Sequence, residues 1–280
     1  MVCFFWIWLT QSCNPPSGGD SAFTEDKRLI TAGGTISEIV HELGFGDQII
    51  ATDITSTYPG SMQELPSIGY RNQIKSEGIL SMGADVVLAE EGYLNEEVVE
   101  QLKLSGVEVR LFKKPKKVEE TYSLIRELAE YLGVEEKGQE LVGEVQNDMQ
   151  ALENYLNGRQ HSPKMAFIMA RGSETVFLAG EDTFADALFE LVGADHVSRG
   201  FKDFIPLTPE AIVSMDPEYL LLFESSMATL GGQKGLSAIR GIEQTKAFRE
   251  GKVLAMDGLY LSGFGPRVGK TALELAKAIY

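Results

Sequence analysis

A stretch of helical periodicity at residues 118–156 constrains the fold most, because it separates two halves that alternate short apolar strands with helices. Gly133 interrupts the stretch, and helical spacing ends near Gly158. In its second part the apolar residues recur every three or four positions and form one stripe along a helix: Leu141, Val145, Met149, Leu152 and Leu156. We therefore predict one long helix that joins two separate parts of the chain.

Both halves have the rhythm of an α/β fold. In the first half, strands are predicted at residues 28–32, 48–52, 85–89 and 107–112, with helices at 35–43 and 95–104. In the second half, strands are predicted at residues 165–169, 219–223 and 252–256, with helices at 184–192, 208–215 and 270–279. This alternation indicates parallel sheets with helices on their faces.

The predicted architecture is therefore an α/β protein of two lobes with parallel sheets, at residues 27–117 and 161–280. A helical region at residues 118–160, with the single long linking helix, joins them. Ligands of such sheets bind outside the carboxyl ends of the strands. We therefore expect the ligand cleft between the two lobes.

The charge of the chain limits its partners. A formal net charge of −16 argues against nucleic acid, since phosphates need lysine and arginine. It leaves room for an anionic small ligand, which needs only a few local cations. The one basic cluster, at residues 113–117, is expected at a junction between a strand and a helix, and we interpret it as a solvated turn rather than a binding patch.

The start of the chain resembles a bacterial lipoprotein signal. An apolar run at residues 2–9 precedes small and polar residues and then Cys13. We predict a signal at residues 1–13, Cys13 as the lipid-bearing residue, and a flexible tether at residues 14–26. The run is short for a bilayer span and no lysine or arginine precedes it, so a disordered apolar N-terminus is the alternative. The lipidated body would lie outside the cytoplasm, in the periplasm or at the cell surface, anchored to the membrane by its lipid alone.

The sequence does not support an enzyme. Residues 265–271, GPRVGKT, lack a phosphate-binding loop because Phe264 stands where that motif needs glycine. The three histidines, His41, His161 and His196, are scattered, and none belongs to a motif for nucleophilic catalysis or zinc. After Cys13 the chain has no cysteine, and therefore no disulfide or thiolate metal site.

Tyr70 and Arg71 follow a glycine in the segment of residues 65–80, LPSIGYRNQIKSEGIL. A deprotonated phenol is a hard anionic ligand that suits ferric iron, as in haem held by tyrosinate. A neighbouring cation favours that deprotonated form. The alternative is a surface tyrosine beside a surface arginine.

Four loops are expected at strand ends that face the cleft: residues 55–62, the Tyr70–Arg71 loop, 170–174 and 259–267. Together they supply aromatic, thioether and guanidinium side chains, namely Tyr58, Tyr70, Tyr260, Phe264, Met169, Arg71, Arg171 and Arg267. Such a set suits a large, flat, apolar ligand that bears carboxylates. The alternative is that the aromatic residues fill the core and that Arg267 caps local carbonyls, and for Phe264 and Arg267 both interpretations stay open.

Six segments resemble the haem-binding receptors of bacterial ABC haem importers in order and spacing: residues 53–59, 65–80, 183–188, 231–235, 241–245 and 257–267. These receptors belong to a superfamily of substrate-binding proteins with a helical backbone between two lobes, which also serve cobalamin and ferric siderophores. The resemblance covers about residues 28 to 280.

The resemblance implies that Tyr70 is the axial ligand of haem iron. Some members add a histidine from the second lobe, and here Arg171 stands at that place. Arginine stays protonated and cannot ligate iron, so the sixth position is left open between an empty or water-filled site and an Arg171 contact with Tyr70 or a propionate. Met169 is a weaker candidate ligand. Arg71 is displaced by one residue from the loop arginine of the family.

The superfamily docks onto its permease through one glutamate per lobe, and Glu77 and Glu210 stand at those positions. The alternative is an acidic residue in the first turn of a helix, which the helix dipole favours. The resemblance thus predicts a receptor that captures haem and hands it to an ABC importer. The alternatives are a receptor of the same fold for cobalamin or a ferric siderophore, a haem-processing enzyme and a surface adhesion module.

Overall fold

The first lobe is built on a four-stranded parallel sheet. The computed structural model describes residues 26–280. The strands are β1 (Leu29–Ala32), β2 (Ile49–Thr52), β3 (Val86–Glu90) and β4 (Glu108–Phe112), in the order β2-β1-β3-β4. The accompanying helices are α1 (Gly34–Val40), α2 (Ser76–Met82) and α3 (Glu96–Leu104). Every residue of β1 and β3 is buried, as expected for central strands of a parallel sheet covered on both faces.

A helical hairpin follows the first lobe. Helix α4 (Val118–Leu132) ends at Gly133, which has a left-handed φ of 71°, and α5 (Glu135–Leu156) begins two residues later. The Val134 N–H donates to the carbonyl oxygen of Ala129 over 2.8 Å, which completes the glycine-based helix end. The predicted helical region is therefore two helices, of which α5, with 22 residues, joins the lobes.

The predicted apolar stripe of α5 serves two hydrophobic cores. Leu141 and Val145 lie in the core of the first lobe, and Leu152 lies in the core of the second. Met149, between them, packs against both cores. One continuous helix face therefore carries the connection, as its regular spacing indicates.

The second lobe has a mixed sheet. Its strands are β5 (Lys164–Ala170), β6 (Val176–Ala179), β7 (Asp195–His196), β8 (Phe204–Pro206), β9 (Tyr219–Phe223) and β10 (Val253–Met256). The order is β10-β9-β5-β6-β8, and β7 pairs with β5. The pairs β10–β9, β9–β5 and β5–β7 are parallel, whereas β5–β6 and β6–β8 are antiparallel. The two-lobed α/β fold is confirmed, with the difference that this sheet is parallel only in part.

The second-lobe helices surround this sheet. They are α6 (Phe184–Leu191), α7 (Pro209–Met215), α8 (Glu224–Thr229), α9 (Gln233–Leu236), α10 (Lys246–Arg249), α11 (Gly258–Ser262) and α12 (Val268–Ile279). Helix α12 packs along α5, so the last helix of the chain reinforces the linking helix.

A short segment between α11 and α12 is bonded to the first lobe. The Thr35 hydroxyl of α1 donates to the carbonyl oxygen of Gly263 over 2.8 Å, and the Thr121 hydroxyl of α4 donates to that of Phe264 over 2.6 Å. The Phe264 side chain, which is 2% exposed, lies in the first-lobe core. These contacts join the lobes at a second place besides α5.

The predicted signal, Cys13 and the tether lie outside the described residues, apart from residue 26 at the end of the tether. From residue 26 onwards, none of the helices combines the length and the apolar character that a membrane span requires.

Candidate ligand-binding cleft

A cleft of about 850 Å³ lies between the lobes, within the range of small-molecule sites. From the first lobe, residues that follow β1, β2, β3 and β4 line it, among them Thr35, Thr55, Tyr93 and Lys114. From the second lobe, residues at or beyond the ends of β5, β9 and β10 line it, among them Met169, Phe223 and Asp257. The cleft therefore lies where the carboxyl ends of the two sets of strands meet.

Tyr70 lines this cleft and is placed there by the chain just before it, which runs beside β2. The Ile68 N–H donates to the carbonyl oxygen of Thr52 over 2.8 Å, and the Ile54 N–H donates to that of Gly69 over 3.2 Å. Tyr70 is half-buried and begins a short 3-10 turn. Pairing with the strand thus carries the phenol to the carboxyl end of β2.

A buried carboxylate organises the loops around Tyr70. Asp53 accepts hydrogen bonds from the Gly33 N–H over 2.9 Å, from the Thr55 N–H over 2.8 Å, from the Ser56 hydroxyl over 2.8 Å and from the Tyr93 hydroxyl. Burial, together with the charge of Asp53, raises the pKa of the Tyr93 phenol. Tyr93 therefore stays protonated and acts as a donor, which leaves it unsuited to bind a metal as phenolate.

Arg71 covers the two tyrosine rings. Its guanidinium carbon lies 5.6 Å from the ring centre of Tyr70 and 5.1 Å from that of Tyr93, and the rings meet edge to face at 6.5 Å. Arg71 has a φ of 43°, a left-handed conformation that is uncommon for residues other than glycine. The sequence predicted that the Arg71 cation lies beside the Tyr70 phenol, and the structure shows that the guanidinium also lies over the ring of Tyr93.

The second lobe contributes an aromatic wall, formed by Phe184, Phe204 and Phe223. The rings of Phe184 and Phe223 stack with centres 5.5 Å apart, and Phe184 and Phe204 lie 6.3 Å apart. All three contact the buried ring of Phe167, which keeps them in place. The wall offers a flat apolar ligand a firm surface.

The aromatic wall was not predicted from the sequence, because all three residues lie at strand or helix positions that serve the core equally well. The available signal concerned Phe223 alone, which ends a predicted strand, whereas Phe204 is the first residue of β8. Phe184 is the first residue of α6 and Phe223 is the last residue of β9.

The turn after β4 also reaches the cleft. Lys114 and Lys116 line it, and the Lys114 ammonium lies 3.9 Å from the carboxylate of Glu90. Burial raises the pKa of Glu90, and the charge of Lys114 opposes that effect. The basic cluster lies in the predicted connection between a strand and a helix, and Lys113 and Lys116 are exposed. The prediction of a solvated turn did not include that Lys114 and Lys116 line the cleft. The Lys113 ammonium pairs with Glu120 at 2.8 Å.

Two predicted pocket residues lie elsewhere. Phe264 is in the first-lobe core, because a left-handed φ of 50° turns the chain at this position. Arg267 binds the buried carboxylate of Glu38 through two hydrogen bonds of 2.7 and 2.9 Å. Burial raises the pKa of the Glu38 carboxyl, and Arg267 counteracts this effect. Because Glu38 lies on α1 of the first lobe and Arg267 directly precedes α12 of the second, the pair links the two lobes.

Tyr58 and Tyr260 belong to the same link. The guanidinium carbon of Arg267 lies 3.6 Å from the ring centre of Tyr58 and 5.0 Å from that of Tyr260. Neither tyrosine is among the residues that line the cleft. Arg171 is exposed in the turn between β5 and β6 and also lies outside the cleft lining, whereas Met169 is part of it.

The two predicted docking residues lie on separate lobes. Glu77 is exposed in the first turn of α2, and Glu210 is exposed in the first turn of α7. Neither lines the cleft. Among residues 26–280, no three histidine, cysteine, aspartate or glutamate side chains are grouped to hold a metal ion.

Two α/β lobes joined by a helix, with a cleft at the carboxyl ends of both sheets, define a two-lobed substrate-binding protein. The chain belongs to the periplasmic binding protein family, which matches residues 29–259. The family and the similar proteins serve transport by binding substrates and are not enzymes.

Two similar solved structures are haem-binding proteins. The apo form of periplasmic heme-binding protein RhuT from Roseiflexus sp. RS-1 is 30% identical, with a TM-score of 0.87, over 91% of this chain and 98% of that one. Periplasmic heme-binding protein BhuT, solved with two hemes, is 31% identical, with a TM-score of 0.85, over 90% of this chain and 97% of that one.

Similar sequences include two kinds of transport protein. An uncharacterized ABC transporter substrate-binding lipoprotein of Bacillus subtilis, YvrC, is 24% identical over 91% of this chain and 81% of that protein. A vitamin B12-binding protein of Vibrio campbellii is 22% identical over 73% of this chain and 74% of that protein.

Proposed function

We propose that this protein is an extracytoplasmic receptor that binds haem between its lobes and delivers it to an ABC importer. The observation that carries the proposal is the pairing of a phenol, Tyr70, on one lobe with the aromatic wall on the other, in one cleft. The similarity to RhuT and BhuT, at 30% and 31% identity, supports the same ligand class.

Each part of the cleft has a role in this proposal. The Tyr70 phenolate is the ligand that we assign to ferric iron, and the Arg71 cation offsets negative charge beside it. The porphyrin face lies against the aromatic wall, where burial of apolar area contributes about 25 cal/mol per Å² before ordering costs. Tyr93 supports Arg71 from below while its own phenol stays bonded to Asp53.

The sixth position of the iron is not assigned to Arg171, because a guanidinium cannot ligate iron and this residue is exposed outside the cleft lining. Met169 lines the cleft but also packs in the second-lobe core, and its soft thioether is a weaker partner for ferric iron. Tyr70 is therefore the protein ligand on which the proposal depends.

A receptor of the same fold for cobalamin is the second candidate, and the similarity to the Vibrio campbellii protein favours it. Absorption titrations of the purified protein with haemin and with cobalamin separate the two. We expect a saturable change in the Soret band with haemin and none in the cobalamin spectrum. Saturable binding of cobalamin without a haemin response would contradict the proposal.

Delivery is proposed to depend on Glu77 and Glu210, which each present an exposed carboxylate from one lobe. The lobes are joined by α5 and by the contacts of Gly263, Phe264 and Arg267, so free opening is limited. We infer that the permease opens the cleft by engaging both glutamates.

The membrane anchor is proposed to be a lipid on Cys13. The similarity to the YvrC lipoprotein supports it. Cys13→Ser should move the protein from the membrane fraction to the soluble fraction, and an unchanged distribution would contradict the anchor.

A further inference from the structure

The turn between β4 and α4 brings positive charge to the rim of the cleft. Three consecutive residues of this turn line the cleft: Lys114, Pro115 and Lys116, here called the lysine corner. Pro115 is buried, while the two lysines beside it retain solvent contact. The corner therefore combines a buried proline with two cationic side chains that contact solvent at the cleft.

Glu120 of α4 fixes this turn. Its carboxylate accepts the Lys113 ammonium over 2.8 Å and the backbone N–H of Lys116 over 2.8 Å. One carboxylate therefore neutralises Lys113 and holds the backbone of the corner. The side chains of Lys114 and Lys116 are left to the cleft.

The charges of the two corner lysines are only partly balanced. Lys114 is 40% exposed and lies 3.9 Å from Glu90, too far for a hydrogen bond. Within residues 26–280, no carboxylate lies within 4 Å of the Lys116 ammonium. Asp182, which also lines the cleft, pairs with Lys202 at 2.6 Å, and the charge of Lys116 contributes to lowering the pKa of Asp182. Arg71, by contrast, lies over two tyrosine rings.

We infer that the lysine corner binds the carboxylates of the ligand and thereby selects tetrapyrroles with free acid side chains. This inference rests on the proposed function. The ammonium groups form charge-assisted hydrogen bonds with the carboxylates. A corrinoid with neutral amide side chains gains nothing comparable at this corner, so the two lysines separate the two candidate ligand classes.

The test compares haemin with haemin dimethyl ester, which keeps the iron and the macrocycle but lacks the negative charges. Lys114→Gln with Lys116→Gln should weaken haemin binding by about tenfold and change ester binding by less than about twofold. The control, Lys103→Gln with Lys117→Gln, alters the net charge equally at two exposed residues outside the cleft lining and should leave both affinities unchanged.

Each outcome is decisive. If the corner variant loses affinity for haemin and for the ester equally, or for neither, the inference is overturned. Haemin binding by the unaltered protein still upholds the proposed function in that case. An unaltered protein that binds neither probe overturns the proposed function and the inference with it. Unchanged melting temperatures and an unchanged visible spectrum of the bound ester exclude misfolding as the cause of a selective haemin effect.

Discussion

At the residue scale, the buried pair of Glu38 and Arg267 joins the two lobes. Glu38 is 3% exposed and Arg267 is 20% exposed, so both charges are largely removed from water. Removal of one partner leaves an uncompensated charge, whereas the intact pair roughly offsets its own desolvation. The contribution of the pair to stability is therefore best measured by substituting one partner.

Arg267→Met should lower the free energy of unfolding by about 3–5 kcal/mol, because it leaves Glu38 buried without a cation. Chemical denaturation measures this. The control, Lys202→Met, removes the exposed partner of Asp182 and should cost less than about 1 kcal/mol. Equal effects of the two variants would show that the buried pair has no special role.

Glu90 gives a prediction about pH. Burial raises the pKa of its carboxyl above the ordinary 4.5. The folded state therefore disfavours the charged form, so the contribution of Glu90 to stability is greatest below the unfolded pKa and is lost as pH rises through the folded pKa. The variant Glu90→Gln does not lose stability in this way, because glutamine does not ionise. The stability of the variant relative to the unaltered protein should rise from pH 4 to neutrality, and a pH-independent difference would contradict the argument.

Tyr70 was predicted at the cleft from residue identity, order and the family resemblance. The pairing of Ile68 and Gly69 with the end of β2, which places the phenol there, was not predicted. The direction of a side chain was not predictable in the same way. Phe264 and Arg267 lie in a predicted cleft loop, yet the left-handed φ of Phe264 turns the chain toward α1, where Glu38 binds Arg267. A carboxylate 229 positions away in the sequence decides that arrangement, and local patterns do not contain it.

At the element scale, the hairpin of α4 and α5 depends on a close helix approach. A Cβ added at Gly138 would lie 2.4 Å from the Cβ of Ala129 on α4. Gly143 on the same helix has no atom within 4 Å of that position. One glycine is needed for packing, and the other is a weak point of the helix.

Gly138→Ala should therefore lower the free energy of unfolding by about 1–3 kcal/mol, since the helices must separate. Gly143→Ala should raise it by about 0.5–1 kcal/mol, because alanine loses less backbone freedom in a helix. Thermal or chemical unfolding of the two variants measures whether each substitution lowers or raises the free energy of unfolding. Stabilisation by both substitutions would show that the close approach is not required.

The longer elements were predictable because their patterns extend over several residues. The stripe of α5 and the apolar strands β3 and β9 are examples. Strands β7 and β8 were missed, since segments of 2 and 3 residues are too short to show a period. Strand β6 was also missed, although β1, β2 and β10 have the same length of 4 residues and were predicted. Strand β6 pairs antiparallel with β5, β8 pairs antiparallel with β6, and β7 pairs parallel with β5; a local sequence pattern does not reveal these partners.

At the scale of the whole molecule, the exposed carboxylates of Glu77 and Glu210 lie outside the cleft lining. Reversal of both charges, Glu77→Lys with Glu210→Lys, should abolish haem uptake by cells and leave haemin affinity unchanged. The control, Glu96→Lys, alters an exposed glutamate in the first turn of α3 and should preserve uptake. Loss of haemin binding in the double variant would indicate misfolding, and normal uptake would contradict the docking role.

The coordination of iron by the Tyr70 oxygen is the central claim, and resonance Raman spectroscopy of the haemin complex tests it most directly. The unaltered protein and Tyr260→Phe, a control outside the cleft lining, should both show the iron–phenolate stretching band. Tyr70→Phe should lose that band and shift the Soret maximum. A band that persists in Tyr70→Phe, or that is missing from the unaltered protein, would contradict the account.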